Sequence, residues 1–223
     1  MISVVIQTSG DEEALLATLA SLVPAAADGT VRDVIVVDGS GGSSVHAIAD
    51  GCGCLYVRGA SERSLRLAAG ARLAKAPWLL FMEPGCEPEE GWTRDVRGFI
   101  ERAERQGTAS RRAARFQVLE DGADDGLAQA VRRAGQSMAG SEALPALLIH
   151  KAFYEELGGF RALPVVEYVD LARRIGRSRM VRLRARLYVP ADQRPHAAGL
   201  RRLLGAGLLA VRAPTRLVAR LYR

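Results

Sequence analysis

The chain has 223 residues, 48% of them hydrophobic and 25% charged, with a formal net charge of +6. That is the length of one full-sized domain with room for an appendage, and the composition excludes a disordered or low-complexity chain. No run reaches the roughly 18 to 20 apolar residues of a spanning helix and no secretory leader is read at the start, so a cytoplasmic protein is expected.

Ile2 to Thr8 is a short β-branched run that predicts a buried strand, and Ser9-Gly-Asp-Glu12 after it has the pattern of a capping box. Leu15, Leu16, Leu19, Leu22 and Val23 then recur at helical spacing, with Pro24 expected to stop the helix. Val34 to Val37 predicts a second buried strand, ending in Asp38 and the loop Gly39 to Ser44. A helix around Val45 to Ala49, a third strand at Leu55 to Val57, a helix from about Ser64 to Lys75 and a fourth strand, Trp78 to Met82, follow. Strands that are apolar throughout, alternating with helices, predict an α/β domain with a mostly parallel sheet flanked by helices.

The second half is less regular. A helix from about Gly91 to Gln106 precedes a strand at Arg115 to Leu119, and the acidic loop Glu120 to Asp125 leads into a helical run to about Met138. Leu147 to Ile149 reads as a strand, followed by a short helix closed by Leu157-Gly-Gly-Phe160. A helix from Glu167 to Ile175 and two strands, Met180 to Leu183 and Arg186 to Val189, complete the domain. Cys52, Cys54 and Cys86 cannot all pair within the chain; Cys52-Gly-Cys54 with His46 lacks the second ligand pair of a zinc site and reads as reduced thiols.

Ligands of open α/β sheets sit beyond the carboxyl ends of the strands. Three segments end in polar residues at that edge: Thr8 to Asp11, Asp38 to Ser44, and Glu83 to Glu90. An acid after the second strand can hydrogen-bond a nucleoside, and a glycine-rich loop lets a phosphate approach backbone; Asp38 equally suits a turn-former and helix cap.

The ordered set Ile2 to Thr8, Val34 to Ser40, Trp78 to Gly85, Leu157 to Phe160 and Glu167 to Arg174 resembles the family-2 glycosyltransferases of GT-A fold, in the small bacterial branch whose acceptor helix follows a Gly-Gly-Phe turn. The resemblance covers about residues 1–190. It implies that Thr8, Asp11 and Asp38 contact a nucleoside-diphosphate sugar, that Glu83 stands in the metal-binding motif for a divalent Mg or Mn ion, and that Glu167 or Asp170 activates the acceptor. The departures lie on working positions. Gln7 replaces a proline, Ala68 an asparagine two residues before Gly70, Gly85 the second acid of the metal motif, and Tyr168 the aspartate that usually serves as base. Without a metal, Glu83 is a turn residue before Pro84, and this reading is preferred because the replaced acid would be a direct ligand. Glu87 or His196 are the other candidates to assist Glu83. Glu167 and Asp170 read alternatively as helix-surface acids near Arg173 and Arg174.

Charge is unevenly placed: from Arg173 to Arg223 there are fourteen arginines and one acid, Asp192. Leu200, Leu203, Leu204, Leu208 and Val211 form an apolar helical stripe, with Arg201, Arg202 and Arg212 off it. The expectation is a GT-A-like domain over 1–195 and a basic amphipathic C-terminal helix in 196–223 that lies on an anionic membrane surface through 198–223. A helix packed on its own domain and a homo-oligomer contact are the alternatives; nucleic acid is disfavoured, since no aromatic stacking platform accompanies the arginines. The function expected is sugar transfer from a nucleoside-diphosphate sugar to a lipid-linked or small acceptor at the cytoplasmic membrane face. Its rival is a non-catalytic domain of the same fold acting as a binding or scaffolding partner.

Overall fold

A computed structural model describes residues 1–119, 144–163 and 167–189. Eight strands form one sheet in the order β3-β2-β1-β4-β7-β6-β8-β5. Its first half contains β1 (Ile2–Thr8), β2 (Val31–Asp38), β3 (Leu55–Arg58) and β4 (Trp78–Met82), all mutually parallel, with α1 (Glu12–Ala27), α2 (Ser43–Gly51) and α3 (Arg63–Leu73) as the crossovers. The second half adds β5 (Glu87–Pro88), α4 (Trp92–Arg105), β6 (Ala113–Leu119), β7 (Ala146–His150), α5 (Lys151–Glu156), α6 (Glu167–Ile175) and β8 (Met180–Tyr188). Here β7 runs antiparallel to β4 and β6, while β6 and β8 are parallel.

β1 and β4 are buried along their whole length because both sheet faces are covered there. Ile2, Val4 and Ile6 of β1 pack with Leu15, Leu19 and Leu22 of α1 and Val96, Phe99 and Ile100 of α4. Val5 points the other way, into a second core with Leu67 and Ala71 of α3, Phe153 of α5, and Leu171 and Ile175 of α6. The alternation along β1 thus divides one strand between two cores.

Three local expectations are corrected. Pro24 does not end α1, which continues to Ala27. A proline this near the C-terminus removes its own donor bond but leaves its carbonyl able to accept, and Asp28 N–H donates to Pro24 O at 3.0 Å. The cap of α1 is Asp11, whose Oδ1 accepts from Ala14 N–H at 3.1 Å. Ser9 is drawn away by Arg66, whose Nη2 donates to Ser9 Oγ at 2.8 Å. The two basic strands at the end are one, β8, with Arg182, Arg184 and Arg186 exposed and Leu183, Ala185 and Leu187 buried. The expected helix after the acidic loop, His196 and the basic segment 196–223 lie outside the described residues. Among the described residues no helix is long and apolar enough to cross a membrane.

Candidate functional site

Parallel pairing aligns the carboxyl ends of the strands: Thr8 is opposite Asp38, Asp38 opposite Arg58, and Ile6 opposite Met82. Thr8, Asp38 and Glu83 therefore meet one edge, and the helix starts that follow the strands crowd around it.

Asp38 is fully buried. Ser40 N–H and Oγ–H donate to its Oδ1 at 2.8 and 2.7 Å, and Gly41 N–H and the Tyr56 hydroxyl donate to its Oδ2 at 3.0 and 3.1 Å. Burial alone would raise its pKa; the donors from Ser40, Tyr56 and Gly41 outweigh burial and hold the carboxyl below its usual range. Asp38 thus shapes the glycine loop, as its turn-forming reading expects, and does so from the sheet edge. Thr8 is also buried, its Oγ1 accepting from Gly10 N–H at 3.3 Å, and Asp11 stands at the start of α1.

Two arginines of α3, neither singled out by the sequence, organise the rest. Arg66 is 4% exposed and spends all five donors. Nε and Nη2 donate to Gln7 Oε1 at 3.2 and 2.8 Å, Nη2 also to Ser9, and Nη1 to the carbonyls of Ala60 and Ser61 at 2.9 and 2.6 Å. The guanidinium passes beneath the loop after β2, where a Cβ at Gly39 would lie 2.4 Å from Arg66 Nη1. Gln7 relays the contact, its Nε2 donating to Glu83 Oε2 at 3.0 Å. The proline that the family resemblance places here could not do this.

Arg63 sits one turn earlier on the same face, 38% exposed, between two acids. Its Nη2 lies 2.7 Å from Glu83 Oε1 and its Nη1 3.0 Å from Glu167 Oε1, with the guanidinium 5.3 Å from the centre of the Tyr168 ring. Burial opposes its charge, but Glu83, Tyr168 and Glu167 together keep it firmly protonated. Glu167 is 1% exposed, so it is no surface acid. Burial raises its pKa and Arg63 offsets part of that rise, while its Oε2 has no hydrogen-bond partner among the described residues.

Asp170, one turn on, has a different task. Arg174 Nε and Nη2 lie 2.8 and 2.6 Å from Asp170 Oδ2, and Nη1 and Nη2 donate to the carbonyls of Leu157 and Gly159. The carboxylate anchors the arginine that ties α6 to the Gly-Gly-Phe turn. Phe160 from that turn packs edge-on against Phe81, Tyr154 and Tyr168, closing the floor beside Glu167. Of the two acids expected to activate an acceptor, the structure brings Glu167 to the site and commits Asp170 to an ion pair.

The residues do not fit the divalent ion that the resemblance implies at Glu83. Both oxygens of Glu83 are engaged, one by Arg63 and one by Gln7. Position 85 lacks a side chain, its backbone is left-handed (φ +79°), and its N–H donates to Ala14 O at 2.8 Å. Glu87, the described helper, belongs to β5 and pairs with Tyr188. Among the described residues no three His, Cys, Asp or Glu side chains converge on a common point.

No protein-family model and no curated protein sequence matches the chain. Solved structures do. Glucosyl-3-phosphoglycerate synthase from Mycobacterium tuberculosis, solved with Mn2+, uridine diphosphate and glucosyl-3-phosphoglycerate, is 16% identical with a TM-score of 0.60, over 96% of this chain and 81% of its own. A mannosyltransferase from Pyrobaculum calidifontis, in complex with GDP-Man and Mn2+, is 13% identical with a TM-score of 0.67, over 99% of this chain and 68% of its own. TarS of S. aureus is 14% identical with a TM-score of 0.61, over 93% of this chain and 65% of its own. The architecture described above is the GT-A-type glycosyltransferase fold.

Proposed function

We propose that this chain is a divergent family-2 glycosyltransferase-like protein that binds a nucleoside-diphosphate sugar and transfers the sugar to a lipid-linked or small acceptor. The observation that carries this reading is the convergence, at the carboxyl edge of parallel strands, of Thr8 and Asp38 with the Arg63–Glu83–Glu167 cluster. The nucleoside lies against the loop that Asp38 shapes, with Thr8 and Asp11 at its margin. The diphosphate faces the start of α3, and the acceptor hydroxyl faces Glu167. Glu167 suits the base: its burial raises its pKa, and its Oε2 has no hydrogen-bond partner among the described residues. The hydroxyl proton passes to the Glu167 carboxylate as the acceptor oxygen bonds to the anomeric carbon. The bond from that carbon to the phosphate oxygen breaks, and its electron pair leaves with the diphosphate.

The test is product formation from a panel of UDP- and GDP-sugars with lipid-phosphate and small-alcohol acceptors, comparing the wild type with Glu167→Gln. Transfer that falls by roughly a hundredfold or more in the variant, with an unchanged melting temperature, supports Glu167 as base. The second reading, a non-catalytic binding partner of the same fold, draws on Arg63, which holds Glu83 and one oxygen of Glu167 at once. Nucleotide binding without transfer or donor hydrolysis across the panel would favour it.

The basic, apolar-striped segment 198–223 of the sequence supports a place at the cytoplasmic membrane face. Its test is flotation with anionic liposomes: the full chain binds in a salt-sensitive manner and a chain lacking 198–223 does not. Equal binding by both would remove this role.

A further inference from the structure

We infer that the paired guanidinium groups of Arg63 and Arg66 take the place of a divalent ion, so that the site holds a diphosphate without metal. The inference rests on the nucleotide-sugar reading above and specifies how that site is charged.

Charge balance is the first ground. A divalent ion between two carboxylates gives a neutral set. Here Arg63 and Arg66 supply two positive charges, and Glu83 and Glu167 supply two negative ones, in a connected network. Arg63 touches both acids, and Arg66 reaches Glu83 through Gln7. The position that an ion would take against Glu83 is filled by an Arg63 nitrogen at 2.7 Å.

Placement is the second ground. Arg63 is the first residue of α3 and Arg66 lies in its first turn, where the helix dipole already disfavours a cation. Burial first, and then the nearby Arg63 charge, lower the pKa of Arg66. Glu62, at the cap position, makes no side-chain cap bond to the first-turn amides. Both guanidinium charges are offset by Glu83 and Glu167, so the first-turn amides of α3 supply the positive potential that faces an anion.

Capacity is the third ground. Arg66 has no donor left to give. Among the described residues Arg63 uses one N–H toward each acid, which leaves the second N–H of Nη1 and of Nη2, and its side chain is 38% exposed. Arg63 is therefore the phosphate contact, and Arg66 is the positioning residue that supplies charge beneath it. A planar fork can grip an acid and a phosphate oxygen together, which an ammonium cannot reproduce.

The experiment is calorimetric titration of the full chain with UDP and GDP, in EDTA and in Mn2+, for the wild type, Arg63→Met and Arg63→Lys. Mn2+ alone is followed in parallel by its electron-spin resonance signal. The expected result is the same Kd in EDTA and in Mn2+, and a Mn2+ signal unchanged by the protein. Arg63→Met should bind roughly ten- to a hundredfold more weakly, the loss of a charge-assisted contact, and Arg63→Lys should recover only part of that. Affinity that improves tenfold or more with Mn2+ would overturn the metal-free site and leave the nucleotide-sugar reading standing. Wild-type affinity in Arg63→Met would overturn it equally. No binding of either nucleotide in either buffer would remove the nucleotide-sugar reading itself and this inference with it. If Arg63→Met does not fold by circular dichroism, the wild-type comparison and Arg63→Lys still decide.

Discussion

Gln7 and Arg66 form a two-point contact at the end of β1, with Gln7 Oε1 accepting from Arg66 Nε at 3.2 Å and Nη2 at 2.8 Å. It joins β1 to α3 and holds a guanidinium that is almost wholly shielded from water. Gln7→Leu keeps the size and the strand backbone but strands two donors of a buried cation. We expect a loss of about 2–4 kcal/mol in urea unfolding. A loss under about 0.5 kcal/mol would show that water replaces Gln7.

Asp38 gives a pH-dependent test. Its folded pKa lies below the unfolded value of about 3.9, so its contribution is complete above that value. As pH falls through 3.9 toward the folded value, the unfolded chain takes up the proton first and the contribution is lost. In Asp38→Asn an amide group must face the donors from Gly41 and Tyr56. The variant should be about 1–3 kcal/mol less stable at pH 7, with the gap to wild type closing below pH 4. A gap independent of pH would show that packing, and not charge, is what the substitution removes.

Gly70 lets α3 sit directly on the sheet. A Cβ there would lie 2.4 Å from Val5 Cγ1 and 3.2 Å from Val37 Cγ2. Overpacking costs about 1–3 kcal/mol, against about 1 kcal/mol gained from helix propensity. Gly70→Ala should therefore destabilise by about 1 kcal/mol net, and Val5→Ala should couple favourably with it in a double-mutant cycle. Additive effects would place the crowding elsewhere.

Tyr168 stands where the resemblance places an aspartate, yet it is part of the second core and packs against Phe160. Burial, then the nearby Glu83 charge, pushes its hydroxyl well up. Tyr168→Asp would put a third carboxylate beside Glu83 and Glu167, at a cost of about 3 kcal/mol or more. Thermal melting should show a large drop for this variant and a small one for Tyr168→Phe. An aspartate variant that melts like wild type would mean that Arg63 can serve three acids.

Periodicity and turn chemistry are local, and they placed most elements. The β-branched runs at Ile2 and Val34 identified strands because each is buried on both faces, and Asp38 and Glu83 fell at the sheet edge because strand ends are legible. Pro24 misled for a local reason, since a proline in the last turn costs one bond and leaves the helix a turn to finish.

Glu167 and Asp170 were inseparable in sequence, three residues apart on one helical face. Their fates came from outside that helix: Arg63 of α3 reaches Glu167, while Arg174 draws Asp170 to the Gly-Gly-Phe turn. In a chain with only two lysines, Lys75 and Lys151, an arginine at one given place carries little information, so Arg63 and Arg66 had no signal of their own. Apolar periodicity is written residue by residue, so an α/β sheet with polar strand ends along one edge is legible in the chain alone. That two guanidinium groups fill the centre of that edge is a property of the assembled fold, because ion pairing depends on which helices the sheet brings together.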